Sequence, residues 1–328
     1  MSKTTRFKLF IAIFAFLAVS ILLTGCQTVP EADQKNPQLL AHRGLAQTFD
    51  ISKVEWDTNT AAIIYPPEHP YIENTLPSME AAFAYGADIV EFDIRVTKDK
   101  ELAVFHDYLV DYRTEKQGSV SDYTLAELKS MDVGYGYTAN GGNTFPLRDT
   151  GVGLLPSFDE VMQRFPDKRC LVHIRDSGEE IGKILLEKFR KMDKDQTDNI
   201  AVYGNDTALG MIRKEYPEML ILSAKTVKRA VIDYMLVGWS GYVPKSMRNI
   251  HLHLPIEFAR FLWGWPHRFL DRISKVNSRM VLVIRRGQWS GGFDTEEDLK
   301  KIPKNYSGFI WTDRIDRIGE FYKEKALE

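Results

Sequence analysis

The stretch Gly86-Ala87-Asp88-Ile89-Val90-Glu91-Phe92-Asp93-Ile94-Arg95 decides the fold class of this 328-residue chain. Its apolar run leads into two carboxylates that flank Phe92. Because successive side chains of a strand point to opposite faces, Glu91 and Asp93 share one face and Phe92 points to the other. The stretch therefore predicts a buried strand with two converging carboxylates at its end and Phe92 in the packing layer outside.

Short apolar stretches of this kind alternate with longer amphipathic ones about eight times. The predicted strands are 39–42, 89–93, 102–106, 170–174, 200–203, 219–222, 241–244, 280–284 and 308–312. The predicted helices are 76–85, 125–131, 158–164, 179–192, 207–216, 227–236, 256–276, 296–300 and 316–324. Parallel neighbours need such crossovers, so the pattern predicts an α/β fold closed into a (β/α)8 TIM barrel. An open doubly wound sheet is the alternative, but no Gly-rich phosphate loop follows the first strand.

Two long segments interrupt this alternation, residues 47–70 and residues 134–153. Each follows the predicted end of a strand. Since the active-site face of such a barrel is built from loops at the strand ends, we expect both segments to lie on that face.

The first 25 residues have the layout of a signal peptide, with basic residues at positions 3, 6 and 8 before an apolar run at 9–23. The run is shorter than the roughly 20 residues of a spanning helix. It ends in Leu23-Thr24-Gly25-Cys26, which resembles a bacterial lipobox, so we expect Cys26 to be acylated; an uncleaved anchor helix is the alternative. Residues 26–37 then form a tether and residues 38–328 the barrel. We expect an exported, membrane-anchored lipoprotein on the periplasmic side of the outer membrane or on the cell surface.

Charge and cysteine content exclude some classes of protein. The chain has 43 Lys and Arg against 45 Asp and Glu. Removal of residues 1–25 takes away three basic residues and no acidic ones, which leaves 40 against 45 and a net charge of −5. This mildly acidic balance argues against nucleic acid as a partner. Beyond Cys26 the sole cysteine is Cys170, in an apolar run, which predicts a buried small hydrophobe and no disulfide framework.

Polar residues that suit phosphate chemistry lie at the ends of three predicted strands. Glu91 and Asp93 lie at the end of the second strand, His42-Arg43 closes the first, and His106-Asp107 closes the third. Histidine suits proton transfer near neutral pH, and the guanidinium fork of arginine suits a phosphate. Glu91 and Asp93 repel each other unless a cation lies between them, and Mg²⁺ or Ca²⁺ prefers such oxygen ligands. The other interpretation of this pair is surface charge balanced by Arg95 or Lys98; the histidine motifs at the same barrel mouth favour a site.

The same runs resemble the glycerophosphodiester phosphodiesterase family, and in particular its lysophospholipase D-like branch. The likeness extends from about residue 39 to residue 318 and is strongest before residue 165. The matching runs are Ala41-His42-Arg43-Gly44, Glu73-Asn74-Thr75-Leu76-Pro77-Ser78, the residues 86–99, Val104-Phe105-His106-Asp107, Leu155-Pro156-Ser157-Phe158-Asp159-Glu160 and Trp311-Thr312-Asp313-Arg314.

The resemblance implies a TIM barrel, a divalent metal and hydrolysis of a phosphodiester to a phosphomonoester and an alcohol. By position, His42 and His106 would be the acid/base pair and Arg43 a ligand of the phosphate. Glu91 and Asp93 would be metal ligands. Glu73 would bind the metal or support its ligands, or would be only a carboxylate at a helix N-terminus.

The fourth predicted strand departs from the family pattern. Where the family has a Glu followed two residues later by a Lys, this chain has His173 and Arg175. A nitrogen ligand at 173 would suit Mn²⁺ or Zn²⁺. Alternatively, fewer protein ligands and water would hold Mg²⁺. The departure also leaves open a catalytically weak or inactive lipid-anchored binding module of the same fold.

The substrate class stays open between glycerophosphodiesters and lysophospholipids, with glycerol 3-phosphate or lysophosphatidic acid as the phosphomonoester. An aromatic run at 258–269 bears on this choice. Aromatic side chains usually fill cores, but here they also suit an interfacial patch that contacts a bilayer or seats an acyl chain.

Overall fold

The structure, a computed structural model, describes residues 36–325. The strands are β1 Gln38–Ala41, β2 Ile89–Val96, β3 Leu102–Val104, β4 Arg169–Ile174, β5 Ile200–Gly204, β6 Leu220–Leu222, β7 His251–Pro255, β8 Arg279–Arg286, β9 Trp289–Gly291 and β10 Phe309–Thr312. The helices are α1 Leu76–Ala84, α2 Leu125–Lys129, α3 Phe158–Arg164, α4 Glu180–Phe189, α5 Lys194–Asp198, α6 Asp206–Glu215, α7 Ala224–Val237, α8 Ile256–Ala259, α9 His267–Ser274, α10 Glu296–Leu299 and α11 Ile315–Lys325.

Eight of the strands form a nearly closed parallel barrel. Their order is β6-β5-β4-β2-β1-β10-β8-β7, and every pair along this path is parallel. A bridge between Ile221 and Ile250 joins β6 to the residue before β7 and spans the remaining gap. The predicted TIM barrel is therefore confirmed.

The predicted strand at 241–244 is wrong, because the seventh barrel strand is β7, His251–Pro255. Two histidines point into the barrel from this strand: His251 lies 6.1 Å from the Phe309 ring and His253 lies 5.4 Å from the Trp311 ring. These polar residues hid the apolar pattern of a buried strand. The predicted helix 256–276 is two helices, since Gly264 has a φ of 81° and Pro266 follows it.

The third predicted strand also differs from expectation. β3 is short and pairs antiparallel with β2, outside the barrel. The last three residues of β2, Ile94–Val96, pair with β3, which runs antiparallel back along β2. Just after β3, the Phe105 N–H donates to the Asp93 carbonyl over 3.1 Å. His106 thus reaches the mouth on a returning strand, not at the carboxyl end of a parallel one.

Apolar residues form separate layers inside and outside the barrel. Phe92 is fully buried in the outer layer, in which its ring lies 6.3 Å from that of Phe158. Cys170 is buried in the same layer, as predicted. A further cluster joins the two interrupting segments, since the Thr138 N–H donates to the Ala61 carbonyl over 2.9 Å.

Within residues 36–325, no helix is both long and apolar enough to cross a membrane. The expected signal peptide and the lipobox with Cys26 lie outside the described residues. All of the expected tether except residues 36 and 37 does so as well.

Candidate active site

Two carboxylates and a histidine form a compact group at the barrel mouth. Glu91, Asp93 and His173 each offer one ligand atom, and these atoms lie within 4.8 Å of one another. Glu91 and Asp93 are inaccessible to solvent. They are two residues apart on β2, and His173 lies opposite Asp93 on β4. The convergence expected from the two-residue period is thus present, and these atoms could hold a metal ion.

The two carboxylates differ in their surroundings. Asp93 accepts from the Asn74 amide at 2.9 Å and lies 2.8 Å from His173 Nδ1. Burial raises the pKa of Asp93, but the charges of His106 and Arg43 and the contact with His173 hold it well below its usual range. Burial and the charge of Asp93 instead raise the pKa of Glu91 to about 7.

Tyr203 on β5 supports the Glu91 side of this group. Its hydroxyl donates to Glu91 Oε1 over 2.6 Å. Its ring stacks on that of His173, with centroids 3.9 Å apart. Tyr203 therefore orients one carboxylate and one imidazole at once.

His42 follows β1 and is oriented by a carboxylate. Its Nδ1 lies 2.5 Å from Asp313 Oδ1, and its Nε2 lies 3.9 Å from Glu91 Oε2. Burial and Arg43 lower the pKa of His42, but Asp313 and Glu91 outweigh them, so the pKa is raised above 6.5. The Arg43 Nε–H donates to His42 Nε2 over 3.1 Å, which requires that nitrogen to carry no proton in this arrangement. The proton then lies on Nδ1, between His42 and Asp313.

His106 also has a carboxylate at its Nδ1, but its pKa is shifted in the opposite direction from that of His42. Its Nδ1 lies 2.6 Å from Asp107 Oδ1. Burial and the charge of Arg43 lower the pKa of His106 to about 4. His106 is thus neutral at pH 7, with its Nδ1 proton directed at Asp107 and its Nε2 free to accept one.

Two arginines, the partly exposed Arg43 and the buried Arg113, pair with Glu73 and with other carboxylates of the site. Arg43 Nη1 lies 2.9 Å from Glu73 Oε1, and Arg43 Nε lies 3.3 Å from Asp93 Oδ2. Arg113 lies 3.4 Å from Glu73 and 2.9 Å from Asp107. Glu73 therefore lies between two guanidiniums and outside the group of possible metal ligands found among the described residues.

The charges at the mouth fit a dication. The carboxylates of Glu73, Glu91, Asp93, Asp107 and Asp313 outnumber the guanidiniums of Arg43, Arg113 and Arg175 by two among the described residues. Buried charge is costly unless it is compensated. Burial and the charge of Asp93 raise the pKa of Glu91, and a divalent ion beside both carboxylates would lower it.

The surface-charge interpretation of Glu91 and Asp93 does not hold. Arg95 pairs with Asp176 at 2.6 Å, and its Nε donates to the His106 carbonyl over 2.9 Å. Arg95 is thus engaged by Asp176 and by the backbone at His106, and it does not neutralise Glu91 and Asp93.

Sequence reasoning missed the supporting residues of the site. Asp313 lies in the matched run 311–314 after β10, but no pattern tied it to His42. Tyr203 lies two residues after Ala201 on the same inward face of β5, a spacing that could have indicated it. Arg113 gave no signal, because it lies in a loop and hydrogen-bonds to Thr60 and Tyr137 in the two interrupting segments.

The sequence profile of the glycerophosphoryl diester phosphodiesterase family matches residues 42–249. The chain belongs to this family. A glycerophosphodiester phosphodiesterase of Caldanaerobacter subterraneus subsp. tengcongensis is 37% identical over 102 residues, which are 31% of this chain and 38% of that protein. A lysophospholipase D of Rattus norvegicus is 24% identical over 191 residues, 56% of this chain and 57% of that protein. The chain thus spans less than two thirds of the length of both relatives.

Solved structures show the same barrel. The structure of an Oleispira antarctica phosphodiesterase in complex with the product sn-glycerol-3-phosphate has a TM-score of 0.54 and 17% identity to this chain. The superposition covers 88% of this chain and 97% of that one. At this identity the likeness shows the fold of the glycerophosphoryl diester phosphodiesterase family, and the site must be argued from this chain's own residues.

The aromatic run at 258–269 is partly buried and partly exposed. Phe269 is fully buried, and its ring packs 5.2 Å from that of Tyr234. Phe258, Phe261 and Trp263 are 50%, 60% and 40% exposed. Part of the run is therefore core, and part forms an apolar surface.

Proposed function

We propose that the protein is a metal-dependent phosphodiesterase that hydrolyses glycerophosphodiesters to glycerol 3-phosphate and an alcohol. One observation carries the proposal: two histidines, each with a carboxylate at its Nδ1, lie beside a buried group of possible metal ligands. His106 would use its Nε2 for proton transfer, and His42 Nε2, which now accepts from Arg43, would become available when phosphate engages that arginine. The names of the relatives support the reaction class, and the product in the Oleispira antarctica structure supports the phosphomonoester.

Glu91, Asp93 and His173 would hold the ion, with Glu73 further away behind Arg43. The oxygen ligands favour Mg²⁺ or Ca²⁺, whereas the nitrogen of His173 admits Mn²⁺ or Zn²⁺. When bound, a divalent ion supplies positive charge to the non-bridging oxygens of the phosphate.

Arg43 would bind the phosphate from the other side. Its guanidinium already lies among Glu73, Asp93 and His42, and phosphate oxygens would compete for these N–H groups. Binding of phosphate by Arg43 Nε would also free His42 Nε2 from its present hydrogen bond. The guanidinium would thus couple substrate binding to the protonation of His42.

The opposite pKa shifts of the two histidines support the choice of a general base and a general acid. His106, with its lowered pKa, would accept the proton of the attacking hydroxyl. His42, with its raised pKa, would give a proton to the leaving alkoxide as the bond from phosphorus to that oxygen breaks. The attacking hydroxyl is either water or a neighbouring hydroxyl of the glycerol backbone. The second route gives a cyclic phosphate, which would accumulate in a His106→Ala trap.

Lysophospholipids form the second substrate class, because an exposed apolar surface adjoins the barrel mouth and a lysophospholipase D is among the relatives. Lysophosphatidic acid would then be the product. Acylation of Cys26 after export would hold the barrel at a membrane, on the periplasmic side of the outer membrane or on the cell surface, close to such lipids.

The test is an activity assay on metal-stripped protein with glycerophosphocholine and lysophosphatidylcholine. Mg²⁺, Ca²⁺, Mn²⁺ and Zn²⁺ are added back separately, and the control variants are Glu91→Ala with Asp93→Ala in the site and Glu187→Gln on the exposed surface of α4. We expect at least one metal to restore turnover in the parent and in Glu187→Gln alone. If the parent protein turns over no faster than the double variant with any of the metals, the proposed enzymatic function is refuted and the binding module is favoured.

A further inference from the structure

An apolar cleft opens beside the metal-ligand group. It has a volume of about 470 Å³ and lies between the carboxyl ends of β5, β6 and β7 and the first half of α7. Its apolar lining comprises Leu222, Ala224, Val227, Val231, Ile232 and Leu254. Lys228 is the one charged side chain among the described lining residues, and it is exposed. The cleft therefore suits a hydrocarbon chain and offers little to a polar ligand.

The inner end of the cleft is part of the candidate active site. Tyr203 and His253 line it, with ring centroids 6.2 Å apart. Tyr203 donates to Glu91, and His253 packs against Trp311, whose ring lies 4.6 Å from that of His42. Burial lowers the pKa of His253 to about 3, so it is a neutral wall of the cleft at pH 7. The cleft and the candidate active site thus share Tyr203 and His253 as their common boundary.

The outer end of the cleft continues as an apolar stripe on α7. Ile232 lines the cleft and is 47% exposed. Met235, Leu236 and Trp239 follow it at helical spacing and are 38%, 69% and 67% exposed. The Trp263 indole N–H donates to the Met235 carbonyl over 2.9 Å, which joins the exposed aromatic residues after β7 to the stripe. A contiguous exposed apolar surface of this kind marks an interaction site.

The charge around this surface differs from that of the whole chain. Residues 224–272 contain eight Lys and Arg against three Asp and Glu, whereas the chain carries a net charge of −2. The positive excess thus coincides with the exposed apolar residues. Such a combination is complementary to a lipid, which has an apolar chain and a phosphate-bearing head.

We propose that this cleft is the acyl-chain subsite of a lysophospholipid substrate. The inference rests on the proposed phosphodiesterase function and names the substrate class of that site. The phosphodiester lies at the metal-ligand group, and the acylated glycerol passes over the outer edges of the Tyr203 and His253 rings. The acyl chain then runs along Val227 and Val231 to the exposed stripe. On the route with water as the nucleophile, water adds to phosphorus and loses a proton, and the bond to the head-group oxygen breaks as that oxygen gains a proton. The product is lysophosphatidic acid, whose acyl chain occupies the cleft until release.

The test compares substrates that differ in the acyl chain alone. Glycerophosphocholine and its hexanoyl, octanoyl and decanoyl lysophosphatidylcholines are assayed as monomers with the full-length protein. Burial of a methylene group is worth about 0.8 kcal/mol, so kcat/KM should rise by up to about fourfold for each methylene that enters the cleft. Val231→Trp fills the cleft, Val231→Thr adds a hydroxyl at nearly the same volume, and Val237→Trp is the matched control on the same helix outside the cleft.

We expect Val231→Trp to abolish the dependence on chain length and Val231→Thr to weaken it. Val237→Trp should leave it unchanged, and every variant should hydrolyse glycerophosphocholine as the parent does. A parent without chain-length dependence, or a dependence that survives in Val231→Trp, overturns the subsite while the phosphodiesterase stands. If no substrate turns over, the subsite is tested by calorimetric titration of the parent and of Val231→Trp with alkylphosphocholines of different chain length. Binding that depends on chain length in the parent and is lost in Val231→Trp supports the subsite. Equal binding by the two proteins overturns it.

Discussion

Replacement of Asp313 by Asn tests whether His42 is a general acid oriented by a carboxylate. The substitution keeps the shape of the side chain and removes its charge from a contact of 2.5 Å with His42 Nδ1. Asn can still accept the Nδ1 proton through its carbonyl oxygen. Its amide nitrogen then faces the Gly292 N–H, which donates to Asp313 Oδ2 over 3.3 Å, so changes in activity report the lost charge together with the loss of this long hydrogen bond.

The size of the effect follows from the geometry. Two unit charges at 2.5 Å attract by about 7 kcal/mol at an effective dielectric constant of about 20. Because His42 and Asp313 are 24% and 25% exposed, the net worth of a hydrogen bond to a charged group is the better guide, about 1.5–3 kcal/mol. This corresponds to a roughly 10- to 150-fold fall in kcat/KM, since each 1.36 kcal/mol is a factor of ten.

The pH profile distinguishes this role from a structural one. Asp313 raises the pKa of His42, so its loss lowers that pKa and deprotonates His42 at lower pH. If His42 must be protonated to act, the alkaline limb of kcat/KM against pH moves to lower pH in Asp313→Asn. The assay is hydrolysis of glycerophosphocholine at saturating metal, with Asp316→Asn on the same segment as the matched control. An unchanged alkaline limb, or an equal loss in Asp316→Asn, would refute the reasoning.

Four further outcomes are expected. Tyr203→Phe keeps the stack on His173 but removes the hydrogen bond to Glu91, so metal affinity in calorimetric titration should fall about tenfold; an unchanged affinity would contradict this. The pKa of Glu91 is about 7 without metal, so a bound metal ion must displace a proton from Glu91 below that pH. The affinity for the metal should therefore rise between about pH 6 and pH 8, and calorimetric titration in two buffers should detect the proton that the buffer takes up. A pH-independent affinity would argue against Glu91 as a ligand. His173→Glu supplies the carboxylate of the family pattern and should shift preference from Zn²⁺ toward Mg²⁺ or Ca²⁺ in competition titrations, whereas an unaltered order would place residue 173 outside the metal shell. Phe92→Ala leaves a cavity beside Phe158 in the outer layer and should lower the free energy of unfolding in urea by about 3–5 kcal/mol; a loss below about 1 kcal/mol would mean that the layer collapses into the space.

Local sequence was sufficient for the barrel and the centre of the site. The period of two on β2 fixed the directions of Glu91, Asp93 and Phe92, because that period is a property of the strand itself. His42-Arg43 and His106-Asp107 were also placed at the mouth from sequence. The signal peptide and lipidation at Cys26 remain inferences from sequence.

Tertiary structure alone decided the partners of these residues. His42 and Asp313 are 271 residues apart, and Glu91 and Tyr203 are 112 apart; each pair meets because the barrel brings distant strand ends to one mouth. The same closure makes His251–Pro255 a strand, since its inward histidines pack on Phe309 and Trp311 from β10 and not on sequence neighbours. The antiparallel return of β3, which carries His106 to Asp93, likewise depends on pairing with β2. The sequence by itself determined that Glu91 and Asp93 converge at the end of one strand. The closed barrel determined which distant residues contact the site and shift the pKa values of its groups.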